Sequence, residues 1–177
     1  MEKTLSRSYQ IAMYGMLTAV SVVLSRFCVI YLTESIRIEF GNLPILLAGI
    51  LGGPLAGAVV GGMADVVGGC FLSSSVYFPP LTLTPMLVGF FAGLLGRTLL
   101  QRPTVWKALL LTGLTNTAGK FLWTTLCLYL LYGTPLPALL AARAPLCILM
   151  AILEGLVIYK LIKGRYFERY IQRRDGL

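Results

Sequence analysis

Five ionisable side chains stand where charge is least expected. Arg26, Asp65, Lys120 and Arg143 fall inside or at the edge of long apolar runs, and Arg37 falls just ahead of one. A charge at the centre of a bilayer-spanning helix costs about 2.5–3.5 kcal/mol on insertion scales, so such residues tend to be paired or to bind something. Four cations against one acid suit an anionic ligand, since guanidinium groups hold carboxylates through two parallel hydrogen bonds. A purely structural alternative pairs Asp65 with Lys120 and lets the arginines reach out to lipid headgroups. Glu34 and Glu39 lie close by in the outer loop. Glu154, six residues before Lys160, is expected to pair near the cytoplasmic interface.

Acid–base and metal chemistry have little to work with. The sequence contains no histidine, which removes the commonest metal ligand and the side chain best suited to proton transfer near neutral pH. The cysteines at 28, 70, 127 and 147 stand singly; without Cys-x-x-Cys spacing they indicate neither a metal site nor a disulfide framework, and they read as small packing residues. No Gly-x-x-x-x-Gly-Lys-Ser/Thr loop occurs, so ATP is not expected to be bound by that route. No cofactor, no metal and no enzymatic activity are expected.

The elements that must carry these residues are membrane helices. Of 177 residues, 57% are hydrophobic and 12% charged, with mean hydropathy +0.82; a soluble domain carries about 25% charged residues, so most of this surface must face lipid. Crossing a hydrocarbon core takes about 20 apolar residues. The apolar runs predict an all-α, six-transmembrane-helix bundle forming one domain over 1–177, with helices near 9–30, 41–52, 54–72, 81–100, 105–132 and 138–162. The first run starts too deep and runs too long for a cleaved signal peptide. Gly52-Gly53-Pro54 predicts a tight turn between two short antiparallel helices.

Eleven of the 15 Lys and Arg residues fall on one side if both termini are cytoplasmic, as the positive-inside bias requires. These inner charges are explained by topology and anionic lipid, with no nucleic-acid partner. Arg26, Arg37, Lys120 and Arg143 are left over, in or near the outer half. From the helical rise, Asp65 sits about 16 Å up the third helix, and Lys120 lies at or slightly above mid-depth in the fifth.

Small residues mark the packing faces. Gly53, Gly57, Gly61, Asp65 and Gly69 recur at spacing four, a shallow ridge along the third helix that lets a neighbour approach closely and turns Asp65 toward protein. Pro85, Gly89 and Gly93 repeat the pattern on the fourth helix. On the first, Ser8, Ala12, Gly15 and Ala19 form a stripe that either packs internally or docks a separate membrane subunit; regular helix geometry puts Arg26 on that same stripe. Aromatic residues gather toward the outside, among them Tyr77 and Phe78, with Trp123 deeper in the fifth helix; they read as interfacial belt residues or as stacking surfaces for a planar ligand.

The order of motifs, Ser35-Ile36-Arg37-Ile38, Phe40-Gly41-Asn42-Leu43-Pro44, Gly52-Gly53-Pro54, Gly61, Asp65 and Gly69, Tyr77-Phe78-Pro79, Leu81-Thr82-Leu83-Thr84, Leu131-Tyr132-Gly133 and Arg143, resembles the substrate-binding S components of energy-coupling factor (ECF) vitamin importers, most closely the folate-specific ones. The likeness runs from about Tyr9 to Lys163. It implies a cell-membrane subunit, prokaryotic in origin, that holds one vitamin beneath its outer loops. The partners implied are a transmembrane coupling subunit, EcfT, and two cytoplasmic ATPases, with Ala12, Gly15 and Ala19 facing EcfT.

For folate, the resemblance and the residue chemistry together give a ligand set of Arg26, Arg37, Asp65, Tyr77, Phe78, Thr82, Asn116, Lys120, Trp123 and Arg143. The arginines and Lys120 suit the two carboxylates of the glutamate, the aromatic side chains suit the flat pterin, and Asp65 or Asn116 suits its N–H edge. Rival readings are an S component for pantothenate, riboflavin or biotin, a small membrane-embedded lipid-modifying enzyme using Asp65 and Lys120 as acid and base, and a ligand-free scaffold.

Overall fold

A computed structural model of the protein describes residues 7–27, 29–33, 36–72, 79–99, 104–132 and 136–163. Its elements are α1 (Arg7–Phe27), a hairpin of β1 (Val29–Thr33) and β2 (Ile36–Glu39), α2 (Asn42–Gly52), α3 (Pro54–Leu72), α4 (Pro79–Leu99), α5 (Val105–Asn116), a π-helical segment (Thr117–Trp123), α6 (Thr124–Tyr132) and α7 (Leu136–Ile162). Thr117 and Thr124, at the two joints, keep right-handed helical angles. α5, the π segment and α6 are therefore one continuous rod, and the helical elements form six rods.

The bundle is helical as expected, but the chain between its first two rods is not. The apolar run read as helix to residue 30 leaves the helix at Phe27, and Val29–Thr33 pairs antiparallel with Ile36–Glu39, Ile30 opposite Ile38 and Tyr31 opposite Arg37. The reason is composition. Val29, Ile30, Tyr31, Thr33, Ile36 and Ile38 are β-branched or aromatic, and their side chains fit a pleated ribbon better than a helix. Three helical stretches, Ser8–Phe27, Pro79–Leu99 and Ala144–Ile162, are each long and apolar enough to cross a membrane. α2, with 11 residues, is about 16 Å long, so it starts deep inside the bundle.

The turn from α2 to α3 follows from two residues. Gly53 adopts φ +89° and its N–H donates to the Gly49 carbonyl at 2.8 Å, closing α2 in a conformation that L side chains rarely take. Pro54 then opens α3, where its missing N–H is of no consequence. The apolar core at this end comprises Leu46, Ile50, Val88, Ala92, Leu111, Ile158 and Ile162, and a second cluster of Val22, Ile45, Ala48, Val60 and Ala64 joins α1, α2 and α3. Many large apolar side chains point outward instead, including Leu55, Val59, Met63, Trp106, Leu122 and Leu130, the pattern of a surface bathed in lipid.

The glycine ridges of α3 and α4 meet backbone to backbone. A Cβ at Gly57 would run into the Gly89 carbonyl oxygen, and one at Gly89 into that of Gly57; Gly61 lies on the Pro85 carbonyl, and Gly93 on the Gly53–Pro54 peptide. Gly89→Ala is therefore expected to lower the melting temperature of the detergent-purified protein, with a loss of about 1–3 kcal/mol from overpacking. Gly15 and Gly113 have nothing within 4 Å of the same position. Alanine there should leave stability unchanged or raise it by up to about 1 kcal/mol, and equal losses at all three sites would refute the backbone-contact account.

Candidate functional site

The glycine register continues outward into polar chemistry. With Gly53 facing Gly93, Gly57 facing Gly89 and Gly61 facing Pro85, one more turn up α3 and down α4 brings Asp65 to Thr82. The Thr82 hydroxyl donates to Asp65 Oδ2 at 2.8 Å, and Thr82 is 8% exposed. Two residues farther along α4, Thr84 Oγ1 lies 2.9 Å from Thr124 Oγ1. Above them, Trp123 Nε1 donates to the Pro80 carbonyl at 3.0 Å, which anchors the indole between the start of α4 and the end of the π segment.

The π segment is placed by close contact with α4. A Cβ at Gly119 would meet Val88 Cγ2 at 2.5 Å and the Thr84 carbonyl at 3.1 Å, so the rod lies on α4 where the helix widens. Such π turns recur at functional sites because they redirect the side chains on one face. Here the segment carries Lys120, whose Nζ lies 3.6 Å from Glu154 Oε1.

Glu154 is the hub of the interior. It is fully buried in α7. Asn116 Nδ2 donates to its Oε2 at 2.7 Å, and Asn42 Nδ2 donates to its Oε1 at 3.3 Å. One carboxylate thus joins α2, α5, the π segment and α7. Asn42 is the first residue of α2, whose N-cap Gly41 supplies no side-chain hydrogen bond, so the carboxylate also faces the positive end of a short buried helix. The Gly41 carbonyl in turn accepts from Ser21 Oγ of α1 at 2.6 Å.

This corrects two expectations. Glu154 does not pair near the cytoplasmic interface with Lys160, which is exposed; it lies eight residues before the end of α7, about 12 Å in. Asp65 is held by Thr82, and the carboxylate beside Lys120 is that of Glu154. Among the described residues two acids, Asp65 and Glu154, therefore stand in the interior with the cations. Glu154 and Asn42 are the members of the site missed in the sequence. Their signal was present: an acid among Ile152, Leu153 and Leu156, and an amide opening an apolar run.

Arg26 leaves the α1 stripe. Its guanidinium lies against α3 at Gly68, where a Cβ would come within 3.1 Å of Nε, while Ala12, Gly15 and Ala19 remain exposed on the outer face of α1. Arg37 sits in β2 opposite Tyr31, and Arg143 sits near the start of α7; both side chains lie outside the described residues, as do Tyr77 and Phe78 entirely. The structure thus brings together Asp65 with Thr82, and Lys120 with Asn116 through Glu154.

Three buried polar atoms have no hydrogen-bond partner among the described residues: Arg26 Nε, Asn116 Oδ1 and Thr125 Oγ1. Buried polar groups are nearly always satisfied, so an unmet donor and an unmet acceptor in one bundle suit recognition of a polar guest. No group of three or more His, Cys, Asp or Glu able to hold a metal occurs among the described residues.

Known proteins share this architecture. The family model described as ECF-type riboflavin transporter, S component, matches residues 6–166. The folate transporter FolT of Clostridium novyi (strain NT) is 30% identical over 138 residues, 78% of this chain and 78% of that one. A crystal structure of FolT bound with folic acid superposes with TM-score 0.75 at 31% identity, covering 88% of this chain and 92% of that chain. The S component for biotin from an ECF-type ABC transporter has the same fold, with TM-score 0.69, 20% identity and coverage of 95% and 98%. The sequence match and the shared bundle agree along nearly the whole length, and the chain belongs to the S components of ECF-type transporters, a family of membrane-embedded transport subunits and not of enzymes.

Proposed function

We propose that this subunit binds folate or a reduced folate in a site opening to the outer side of the membrane, and passes it inward with a coupling subunit, EcfT, and two ATPases that supply the energy. The observation that carries the reading is the 31% identity, over 88% of the chain, to a FolT whose structure holds folic acid. Residue chemistry supports it. Folate presents two carboxylates, for which Arg26, Arg37 and Arg143 are the cationic partners, while Lys120 lies 3.6 Å from Glu154. It also has a flat pterin, for which Trp123, Tyr77 and Phe78 are stacking partners. The pterin edge needs an acceptor, which Asp65 beside Thr82, or Asn116, provides. Both termini face the cytoplasm in this reading, with Arg97, Lys107, Lys160 and Lys163 at the inner ends of their helices.

Riboflavin is the second reading, favoured by the family model's own description. Ligand-induced stabilisation separates the two. Folic acid at 100 times its dissociation constant should stabilise the detergent-purified protein by about 2.7 kcal/mol and quench tryptophan fluorescence. Riboflavin and biotin at the same concentration should do neither. Failure of micromolar folic acid to shift the melting temperature, with a shift from riboflavin, reverses the assignment.

The open stripe of α1 gives a separate expectation. Gly15 has nothing within 4 Å of a Cβ position, and Ala12 and Ala19 are exposed beside it, so a larger side chain there blocks a partner without disturbing the bundle. Gly15→Leu should leave the folic acid dissociation constant within about twofold of wild type while abolishing copurification with EcfT and the ATPases. Loss of folic acid binding together with assembly would show that the stripe does not act as a separate docking face.

A further inference from the structure

The orientation of Asn116 is more tightly determined than the packing around it requires. This side chain is 1% exposed. Its Nδ2 donates to the Thr112 carbonyl at 2.9 Å and to Glu154 Oε2 at 2.7 Å. An amide nitrogen has two hydrogens, so both are used. Turning the amide over would set its oxygen against two acceptors, which fixes which way it points. Oδ1 is then left as a buried acceptor with no donor among the described residues.

Glu154 cannot easily release this grip. Its other oxygen lies 3.3 Å from Asn42 Nδ2 and 3.6 Å from Lys120 Nζ, so α2 and the π segment hold the carboxylate while the carboxylate holds Asn116. Burying an acceptor without a donor is costly; the arrangement is accounted for if a donor arrives from a bound molecule.

We propose that Glu154 is a positioning residue for ligand selection: by engaging the donor edge of Asn116 it aims Asn116 Oδ1 as an acceptor for an amino or ring N–H group of the bound ligand. The inference rests on the vitamin-binding reading and narrows it. The ligand class is a heteroaromatic ring with an exposed N–H or amino edge, and the 2-amino group of a pterin is the donor to be tested. Glu154 acts here through Asn116 and does not itself touch the ligand. Gln at position 154 keeps the shape but supplies a donor of its own, which leaves the Thr112 carbonyl alone of the two acceptors to oppose a turn of the Asn116 amide and so loosens the aim of Oδ1.

The test titrates the full-length, detergent-purified protein with folic acid and with its 2-desamino-2-methyl analogue, using wild type, E154Q and N116L. Wild type should prefer folic acid by about tenfold or more, and both variants should bind the two ligands within about threefold of each other. Equal affinity of wild type for the two ligands overturns the inference. So does E154Q losing affinity for both in parallel with the preference intact, which would make Glu154 a structural residue and leave Asn116 Oδ1 to an internal water. E154D, which withdraws the carboxylate by one methylene while keeping its charge, is expected to lose the preference as well and serves if E154Q is not recovered folded. Wild-type protein that binds neither ligand sinks the folate reading and this inference with it, a result distinct from binding both alike.

Discussion

A carboxylate sealed inside an apolar bundle must be compensated on every side, and that requirement at Glu154 organises the interior. Desolvating an ion in a protein costs several kcal/mol even after relaxation. Here the offsetting groups come from three other parts of the chain: the Lys120 ammonium, the Asn116 amide and the Asn42 amide at the head of α2. The shortness of α2 makes this possible. An 11-residue helix is too short to cross the bundle from the Gly53–Pro54 turn, so its N-terminus stays in the interior, where a negative charge is favourable. Removing one member of such a cluster leaves a buried charge uncompensated, which typically costs about 3–5 kcal/mol.

A second constraint is steric and acts on α3 and α4. Hydrophobic burial gives little preference for one helix register over another when lipid surrounds the bundle, because the tails are as apolar as the side chains. Backbone contact at Gly57–Gly89, with Gly61 on Pro85 and Gly93 on Gly53, does distinguish registers, since sliding by one residue would drive Cβ atoms into carbonyl groups. The chemistry of Asp65 and Thr82 depends on that register. Their 2.8 Å hydrogen bond is the next rung of the same ladder.

Much of this was legible in the amino-acid sequence because it is periodic. Glycines at spacing four announced the α3 ridge with Asp65 on it, and Gly52-Gly53-Pro54 announced the turn. The hairpin was not legible as such: Val29–Thr33 continues an apolar run, and hydropathy does not distinguish a strand from the last turn of a helix. Glu154 was misjudged for a different reason. Counting along the chain placed it near Lys160, whereas the neighbours that decide its role, Asn42 and Asn116, are 112 and 38 residues away. The side chain of Arg26 likewise departs from its helical stripe because its length lets it fold onto Gly68. Periodicity predicts where a Cβ points and says less about where the end of a long side chain settles.

The two ends of the bundle are therefore held by different forces, and this bears on how a binding subunit works. Toward the Gly53–Pro54 turn, close backbone contact and a core of Leu46, Ile50, Leu111, Ile158 and Ile162 make an apolar base in which no buried side-chain polar atom among the described residues lacks a partner. Farther from that turn, hydrogen bonds tie the elements together, among them Thr82 to Asp65, Trp123 to Pro80 and Ser21 to Gly41. Contacts of this kind each contribute about 1 kcal/mol net. A polar ligand that meets Arg26 Nε or Asn116 Oδ1 adds satisfied hydrogen bonds where the described residues supply none.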